Sequence, residues 1–394
     1  MTPTRTHPDL SGVDFDRVPF IVIWEVTRAC DLACVHCRAE AVAFRDPREL
    51  TTAEAFQLLD QTAEFGSPLF VLTGGDPIKR PDIFEIIGHG DRLGLRMTMT
   101  PSGTPLMTPT VIDRLKAAGL ARMAVSLDGP NAETHDRFRR VRGSFDWSLG
   151  MLGHARRIGL STQVNTTVTR FNFEHFDSMA ELMSGLGIDL WSVFFLVPTG
   201  RGRPEDEISA AQYEVVFEKM LALSQRVSFD IKSTAAPHYR RFLLQRRTAA
   251  RRSNQPMSPR RGVGFAIKGG GSRAAKSVND GNGFVFVSHT GDIFPSGFLP
   301  LSAGNVRATA LATVYRDSEL FRTLRDYSQL KGKCGVCEFR AVCGGSRARA
   351  FSLTRDYLES DPFCAYVPGP YQKLIAAGAA EPIDRYFAAR IKVV

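Results

Sequence analysis

Residues 27–37 read TRACDLACVHC and place Cys30, Cys34 and Cys37 within eight residues, directly after an apolar run typical of a β-strand. One loop can therefore bring three thiolates to a single metal centre. Three ligands for a four-iron cluster leave one iron open, and an open metal position is where a substrate or cofactor binds. A structural zinc site is the alternative, but zinc usually needs a fourth nearby ligand. The ring of His36, next to Cys37, would not easily reach the same ion.

Apolar runs rich in β-branched residues alternate with amphipathic helical stretches around this loop. The strand-like runs are Phe20–Val26, Pro68–Leu72, Leu95–Thr100, Arg122–Leu127, Thr162–Val168 and Leu190–Val197. The helix-like runs between them are Thr52–Phe65, Asp82–Leu93, Pro109–Ala118, Phe145–Ile158 and Phe173–Leu186. Such alternation predicts parallel strands with right-handed crossovers. Six units are too few for a closed eightfold barrel, so we expect an α/β fold with an open, partial (β/α)6 barrel. Its chemistry would lie at the C-terminal strand ends.

The C-x3-C-x2-C spacing of the first loop resembles that of the radical S-adenosylmethionine (SAM) superfamily. In that family the open iron of a [4Fe–4S] cluster is chelated by the amino and carboxylate groups of SAM. An electron from an external donor of the flavodoxin or ferredoxin type then cleaves the sulfonium and produces a 5′-deoxyadenosyl radical. The residue before the last cysteine is often aromatic in the family, and His36 is an acceptable variant.

The segment TGGDP, residues 73–77, follows the second predicted strand and resembles the family's GGEP motif, which holds the SAM amino group. Two glycines let the backbone approach a ligand closely. By this resemblance Gly74, Gly75, Asp76 and Pro77 are cofactor-binding residues. Asp76 stands where glutamate is commoner, so the charge is kept with a shorter reach. A Gly-Gly pair on its own is often only a turn.

Polar residues recur at the ends of the next three predicted strands: Ser102, Ser126 with Asp128, and Asn165, with Arg139 shortly after the fourth strand. By resemblance, the serine and asparagine side chains contact the ribose and carboxylate of SAM. Arg139 would pair with that carboxylate through a bidentate fork. Each residue taken alone is equally typical of a turn or a helix cap. Their recurrence on successive strand ends favours the cofactor-binding interpretation.

The C-terminal part carries four more cysteines, Cys334, Cys337, Cys343 and Cys364, which supply a complete thiolate shell for one cluster. This stretch resembles the SPASM/twitch-like auxiliary-cluster domain of many radical SAM enzymes. The version in heme-precursor-modifying members, where CGGCRARA is typical, is the most similar. A four-cysteine zinc site is the alternative.

Two cysteines expected from that resemblance are serines in this sequence, Ser296 in GDIFPSGF and Ser346 in CGGSRARA. Both missing ligands belong to the family's other auxiliary cluster. Loss of both together indicates that one auxiliary cluster has been abandoned. We therefore predict two [4Fe–4S] clusters in all, one binding SAM and one fully ligated by thiolates.

The net charge of +9 is concentrated in one segment. Residues 246–279 contain nine Lys or Arg and no Asp or Glu, and they are rich in Gly, Ser and Pro. The segment is interpreted either as a flexible linker or as a lid that orders over an acidic substrate. No nucleic-acid-binding module accompanies it, so we expect no nucleic-acid partner.

The other compositional features predict a cytoplasmic protein without a membrane partner. Residues 1–20 show no signal peptide, and no apolar run approaches the ~18 residues of a membrane span. In a reducing compartment seven cysteines are more typical of metal ligation than of disulfides. The predicted organisation is an N-terminal extension (1–19), the barrel (20–205), a helical connection (206–245), the basic linker or lid (246–281), the auxiliary-cluster domain (282–370) and a C-terminal tail (371–394).

The predicted function is radical SAM catalysis on a small molecule, for example decarboxylation or oxidation of a tetrapyrrole or another acidic metabolite. One alternative is maturation of a ribosomally made peptide, with a separate leader-binding protein, since only 29 residues precede Cys30. A further alternative is a non-catalytic iron–sulfur carrier or scaffold. Arg201, His238, Tyr239 and Arg240 are candidates for the substrate side. No catalytic acid, base or radical relay can be named from the sequence.

Overall fold

Ten β-strands form one sheet in this computed structural model, which describes residues 14–253 and 278–391. The strands are β1 (Ile21–Thr27), β2 (Leu69–Gly74), β3 (Arg96–Met99), β4 (Arg122–Ser126), β5 (Ser161–Val168), β6 (Leu190–Phe195), β7 (Asp230–Thr234), β8 (Phe284–Val287), β9 (Asp292–Phe294) and β10 (Gly304–Asn305). Their order is β10-β9-β8-β1-β2-β3-β4-β5-β6-β7. The pairs from β8 through β1 to β7 are parallel, whereas β9 pairs antiparallel with β8 and with β10.

Helices follow most of the parallel strands and continue into the C-terminal part. They are α1 (Thr52–Ala63), α2 (Ile83–Arg92), α3 (Pro109–Ala117), α4 (Ala132–Arg139), α5 (Ser144–Arg157), α6 (Phe176–Leu186), α7 (Ala210–Ser224), α8 (Tyr239–Arg252), α9 (Leu311–Asp317), α10 (Glu319–Arg325), α11 (Gly332–Gly335), α12 (Arg340–Cys343), α13 (Arg347–Thr354), α14 (Gly369–Ala376) and α15 (Ile383–Ala388). Within the described ranges none of them is long and apolar enough to cross a membrane.

The six predicted strands and five predicted helices of the barrel are all present, each within a few residues of its expected bounds. Local signals explain this agreement. Thr51 caps α1 through a capping box with Glu54, in which each side chain accepts a hydrogen bond from the other residue's backbone. Pro109 is the first residue of α3, where its missing N–H costs nothing. The predicted α/β fold with a parallel sheet is confirmed.

The predicted number of strands in the parallel sheet was too small. β7 lies in the segment interpreted as a helical connection, and its sequence, DIKST, lacks the apolar run that identified the other strands. Only Ile231 of this strand is buried. The other four residues are polar, so the sequence shows no apolar run that would predict a strand. β8 lies in the segment assigned to the auxiliary-cluster domain, yet it pairs in parallel with β1. Among the described residues the parallel part of the sheet therefore contains eight strands, β8 and β1 to β7.

The start of the basic segment is helical and not a linker. Arg246 to Arg252 are the last seven residues of α8, and Arg246 forms an ion pair with Glu218 of α7. Arginine and alanine are good helix formers, and the cations lie near a helix C-terminus, where the helix dipole favours positive charge. Residues 254–277, which carry the rest of the predicted linker or lid, are outside the described residues.

Side chains alternate along the parallel strands between the helices and the interior of the barrel. In β1, Val22, Trp24 and Val26 are fully buried in the main core cluster. The residues that alternate with them, such as Glu25 and Thr27, belong to the opposite face. The first cysteine loop and the TGGDP segment lie at the C-terminal ends of β1 and β2, and both are at the same edge of the parallel sheet.

Candidate cluster and cofactor sites

The first cysteine loop is held between two neighbouring segments by backbone hydrogen bonds. Cys30 N donates to Val42 O at 2.8 Å, and Val42 N donates to Arg28 O at 3.0 Å. On the other side, the backbone N–H groups of Gly75 and Asp76 donate to Thr27 O and Ala29 O at 2.8 and 2.7 Å. These backbone hydrogen bonds hold the loop that carries the three thiols without any contribution from a cofactor.

The three thiols of this loop line a cavity of about 200 Å³ at the C-terminal ends of the strands, which we call the three-cysteine cavity. Six of the nine predicted cofactor-binding residues also line it: Gly74, Gly75, Ser102, Ser126, Arg139 and Asn165. Asp76, Pro77 and Asp128 do not. Leu196, Val197 and Phe298 line the cavity as well. These apolar residues were missed, since a buried apolar side chain has no sequence signal that separates a cavity wall from the core.

Hydrogen-bonding groups lie beside two of the three thiol sulfurs. Ser102 Oγ lies 3.3 Å from Cys30 Sγ, and Leu32 N donates to the same sulfur at 3.3 Å. Arg139 Nη1 donates to Cys34 Sγ at 3.6 Å. Burial raises the pKa of Cys30 to about 11, so coordination to a metal would have to displace its proton. Three thiols in one loop, with hydrogen-bonding groups beside two of their sulfurs and a cavity next to them, fit a four-iron cluster with one open iron.

The structure gives Gly74 and Gly75 a different role from the predicted approach to a ligand. A Cβ on Gly74 would lie 2.3 Å from Thr27 O, and one on Gly75 would lie 2.4 Å from Ala29 O. Real Cβ atoms do not approach backbone oxygens so closely. The glycines are therefore required for the TGGDP segment to pack against the cysteine loop, although both also line the three-cysteine cavity.

Asp76 is fully buried and its carboxylate is already used inside the protein. Oδ1 accepts from Ser102 N at 3.2 Å and from Ile78 N at 3.4 Å, and Oδ2 accepts from Thr104 Oγ1 at 3.2 Å. Burial raises the pKa of Asp76 to about 6. Because Asp76 does not line the cavity, its geometry is that of a residue that positions Ser102, whose hydroxyl donates to Gly75 O at 3.1 Å. Direct contact between its carboxylate and a ligand, as predicted from the sequence, does not follow from this arrangement.

Asp128 and Arg139 form a buried ion pair. Asp128 Oδ1 also accepts from Thr167 N at 2.7 Å. One terminal nitrogen of Arg139 thus faces Asp128 and the other faces Cys34. This arrangement differs from the predicted bidentate fork to an external carboxylate, because both terminal nitrogens already have partners.

Ser126 and Asn165 are direct neighbours on β4 and β5, and both line the three-cysteine cavity. The Asn165 side-chain oxygen accepts from Gln163 Nε2 at 2.7 Å. Their pairing across two strands places hydroxyl and amide groups side by side on the cavity wall. The geometry is compatible with the predicted contacts to SAM, which stay predictions.

The four C-terminal cysteines, Cys334, Cys337, Cys343 and Cys364, line a second and smaller cavity of about 30 Å³, which we call the four-cysteine cavity. Phe339 N donates to Cys337 Sγ and Gly345 N donates to Cys343 Sγ, both at 3.4 Å. Two guanidinium groups lie near the other sulfurs. Four thiols with backbone donors fit a fully ligated cluster. Nowhere in the described ranges do three His, Cys, Asp or Glu side chains converge as ligands of a single metal ion.

Both serines that replace expected cysteines make hydrogen bonds within the protein. Ser346 Oγ accepts from Arg349 N at 3.2 Å and caps α13, and its backbone N–H donates to Asp361 Oδ2 at 2.9 Å. Ser296 Oγ accepts from Phe298 N at 3.3 Å. Both residues are buried. The two positions therefore serve as turn and cap residues, in line with the predicted loss of one auxiliary cluster.

Of the four candidates for the substrate side, only Arg201 lies beside the first cysteine loop. Its backbone N–H donates to Cys37 O at 3.0 Å, and its Nε and Nη2 atoms are buried with no hydrogen-bond partner among the described residues. His238 instead lines the four-cysteine cavity. Tyr239 packs against Phe217 with ring centroids 5.1 Å apart.

Arg240, the fourth candidate, is also on the auxiliary side. Burial lowers its pKa, and the opposing electrostatic influence comes from Tyr327 and Cys343. The sequence placed Tyr239, Arg240 and His238 in one short motif, but it could not show which of the two cavities that motif would face.

The comparisons with known proteins agree with this geometry. The model of the radical SAM superfamily matches residues 24–183. The AdoMet-dependent heme synthase of Methanosarcina barkeri is 42% identical over 354 residues, which cover 90% of this chain and 98% of that protein. The chain belongs to the radical SAM superfamily. It is therefore an enzyme that uses a [4Fe–4S] cluster and SAM. The alternative of a non-catalytic iron–sulfur carrier or scaffold is not supported.

Two further comparisons show how far the likeness extends. The mycofactocin maturase MftC of Mycolicibacterium smegmatis is 28% identical over 381 residues, covering 92% of this chain and 88% of that protein. The crystal structure of Streptococcus suis SuiB bound to S-adenosylmethionine has a TM-score of 0.66 at 16% identity, covering 89% of this chain and 78% of that chain. The second likeness concerns the fold alone. Radical SAM enzymes act on small molecules or peptides and take electrons from external donors.

Proposed function

We propose that this radical SAM enzyme converts a carboxylate-bearing iron tetrapyrrole to heme, in the manner indicated by the name of its heme synthase relatives. The observation that carries the proposal is the similarity to a heme synthase, 42% identical along 98% of that protein's length. The peptide maturase is only 28% identical over a comparable span. Peptide maturation, with a separate leader-binding protein, is therefore the second candidate.

When bound, the open-iron cluster and SAM supply a 5′-deoxyadenosyl radical that removes a hydrogen atom from the substrate. The residues of this chain hold the reactants. Cys30, Cys34 and Cys37 would ligate the cluster, while Ser126 and Asn165 offer polar groups to SAM on the cavity wall. The apolar residues Leu196, Val197 and Phe298 line the same cavity and would exclude water from the site of hydrogen abstraction.

Arg201 is our candidate for binding a carboxylate of the substrate. Its backbone is tied to Cys37, and two of its guanidinium nitrogens are buried without a hydrogen-bond partner in the described part of the chain. Buried guanidinium groups are normally paired, because an unpaired buried donor costs ~1–3 kcal/mol. A planar carboxylate is the anion whose two oxygens match this fork.

Loss of a carboxylate as CO2 after hydrogen abstraction leaves one electron to be removed for each double bond formed. The four-cysteine cavity is the second site at which the chain could hold a redox centre. We propose that Cys334, Cys337, Cys343 and Cys364 would hold an auxiliary [4Fe–4S] cluster, which would supply an acceptor for this electron. An external donor of the flavodoxin or ferredoxin type would supply the electron for SAM cleavage.

Anaerobic incubation with SAM, dithionite and iron coproporphyrin III, an iron porphyrin with four carboxylate side chains, tests the proposal. We expect heme, CO2 and 5′-deoxyadenosine, measured by chromatography and mass spectrometry. Protein with Cys30, Cys34 and Cys37 replaced by Ala is the control and should form none of them. Arg201→Met should raise the KM for the porphyrin at least tenfold, whereas Arg203→Met, an exposed neighbour in the same loop, should not. Cleavage of SAM with no change in the porphyrin would favour peptide maturation as the function.

A further inference from the structure

A histidine completes the wall of the four-cysteine cavity. His238 directly precedes α8, is fully buried, and lines the cavity together with the four cysteines. Its ring packs against the rings of both Tyr213 and Phe217, with centroids 5.1 and 5.0 Å away. Contact with these two rings restricts rotation of the imidazole and so limits where its two nitrogens can lie.

Neither ring nitrogen of His238 has a hydrogen-bond partner among the described residues. The nearest acidic atom is Asp361 Oδ2, 3.7 Å from Nδ1, which is beyond hydrogen-bond distance. That oxygen already accepts from Ser346 N and lies 3.5 Å from Arg349 Nη1. A neutral imidazole always carries one N–H donor and one acceptor nitrogen. Leaving its donor unpaired in a buried site would cost ~1–3 kcal/mol.

The surroundings keep the imidazole neutral. Burial lowers the pKa of His238 to about 3, and the nearby guanidinium groups of Arg349 and Arg241 act in the same direction, against the opposing influence of Asp361. Besides the four cysteines, the cavity is lined by Asp361, whose Oδ2 already accepts from Ser346 N and Arg349 Nη1, so the sulfurs are the acceptors left for the ring. Sulfur atoms of a thiolate-ligated cluster carry negative charge and accept N–H hydrogen bonds.

We propose that His238 donates its ring N–H to a sulfur of the four-iron cluster held by Cys334, Cys337, Cys343 and Cys364, and so raises the reduction potential of that cluster. The proposal rests on the auxiliary cluster of the proposed function. Reduction adds an electron, and hydrogen bonds to the sulfurs stabilise the more negative reduced state. His238 is thus a positioning residue for the cluster and not one of its ligands, because four thiolates already complete the shell.

Two guanidinium groups near the sulfurs act in the same sense. Arg241 Nη2 lies 3.9 Å from Cys364 Sγ, and Arg347 Nη2 lies 4.0 Å from Cys334 Sγ. Arg241 also makes two contacts with Glu214, and Arg347 donates to three main-chain carbonyls. His238 differs from both, since none of its hydrogen-bonding capacity is used elsewhere in the described residues. It therefore has the most to offer to the cluster.

The test uses full-length protein in which Cys30, Cys34 and Cys37 are replaced by Ala, reconstituted anaerobically so that the auxiliary cluster is observed alone. In this background His238→Leu should retain about four irons but have a lower midpoint potential in a dye-mediated titration followed by electron paramagnetic resonance. We expect at least tenfold weaker reduction at a given potential, which is about 59 mV for a one-electron couple. His238→Asn keeps an N–H donor and should recover part of the shift.

A matched control is His154→Leu, because His154 lies on α5 and pairs with the exposed Asp113. It should leave the potential unchanged. Electron–nuclear double resonance in D2O should reveal an exchangeable deuteron coupled to the cluster in the His238 protein and its loss in His238→Leu. An unchanged potential in His238→Leu, or a directly ligating histidine nitrogen revealed by a strong 14N coupling, would overturn the proposal. Zinc or no iron in the parent protein would instead overturn the auxiliary cluster itself.

Discussion

Arg349 Nη2 donates a hydrogen bond of 2.9 Å to the main-chain oxygen of Leu196. Leu196 follows β6 and lines the three-cysteine cavity, whereas Arg349 belongs to α13 in the C-terminal part. The same guanidinium donates from Nε to Glu207 at 2.9 Å and lies 3.5 Å from Asp361, which lines the four-cysteine cavity. One fully buried cation therefore connects the walls of both cavities.

Removing this cation should destabilise the protein strongly. Arg349→Met leaves the carboxylates of Glu207 and Asp361 buried without their shared partner, and breaking a buried ion pair costs roughly 3–5 kcal/mol. Urea unfolding of anaerobic holoprotein measures the change. The double variant Arg349→Met, Glu207→Gln should be more stable than the single variant, because the glutamine side chain would be neutral and could still bond to the hydroxyl of Tyr213. Equal stability of the single and double variants would contradict the role assigned to this pair.

Iron analysis tests the number of clusters. Anaerobically reconstituted protein should bind about eight irons and eight sulfides, as two four-iron clusters. Replacement of Cys30, Cys34 and Cys37 by Ala should remove about half of them and leave the rest. A content near twelve would show that Ser296 and Ser346 do not mark a lost cluster. Zinc in place of half the iron would show that the four-cysteine cavity is a structural zinc site.

Asp76→Ala should weaken SAM binding about tenfold, which is ~1.4 kcal/mol, and leave the iron content intact. The reason is indirect, since Asp76 holds the backbone of Ser102 and the hydroxyl of Thr104 without lining the cavity. Equilibrium binding of SAM to the unreduced protein gives the affinity. Asp113→Ala, which removes an exposed carboxylate, is the control and should bind SAM normally. A loss of iron in Asp76→Ala would show instead that the substitution disturbs the cysteine loop and its cluster.

The pH dependence of stability should also depend on Asp76. Burial raises its pKa to about 6, above its ordinary value of about 3.9. The folded protein therefore binds this proton more tightly than the unfolded chain. The stabilisation is fully present below about pH 4 and is lost as the pH rises through 6, at a cost on the order of 3 kcal/mol. Asp76→Asn lacks this ionisation, so its stability relative to the unmodified protein should increase from pH 4 to pH 8. A pH-independent difference would contradict the shift.

Gly75→Ala should prevent the TGGDP segment from docking on the cysteine loop, because the new Cβ would lie 2.4 Å from Ala29 O. We expect loss of the SAM-binding cluster, seen as about half of the iron, together with lower stability. Gly150→Ala is the matched control, since nothing lies within 4 Å of a Cβ there and the residue is inside α5. That change should stabilise the helix by ~1 kcal/mol. Full iron content in Gly75→Ala would show that the backbones can separate without harm.

The sequence by itself determined those features whose signals are local. Three cysteines within eight residues define a cluster loop whatever the rest of the fold, and apolar runs identified six strands because many of their side chains are buried. Capping at Thr51 and Pro109 acts within one turn, so these helix starts could also be predicted. β7 escaped notice because its inward residues are polar, and only pairing with β6 makes it a strand.

Only the tertiary structure decided which groups each polar side chain meets. The sequence identified Asp76, Arg139 and His238 as candidate site residues. It could not identify the groups they contact, because most of these are distant in the chain. Arg349 meets Glu207 across 142 residues of sequence, and no local pattern encodes such a pair. Buried polar groups must satisfy their hydrogen bonds with whatever the fold brings near them. The sequence therefore predicts the two sets of cysteine ligands, whereas the roles of the polar residues around them depend on tertiary packing.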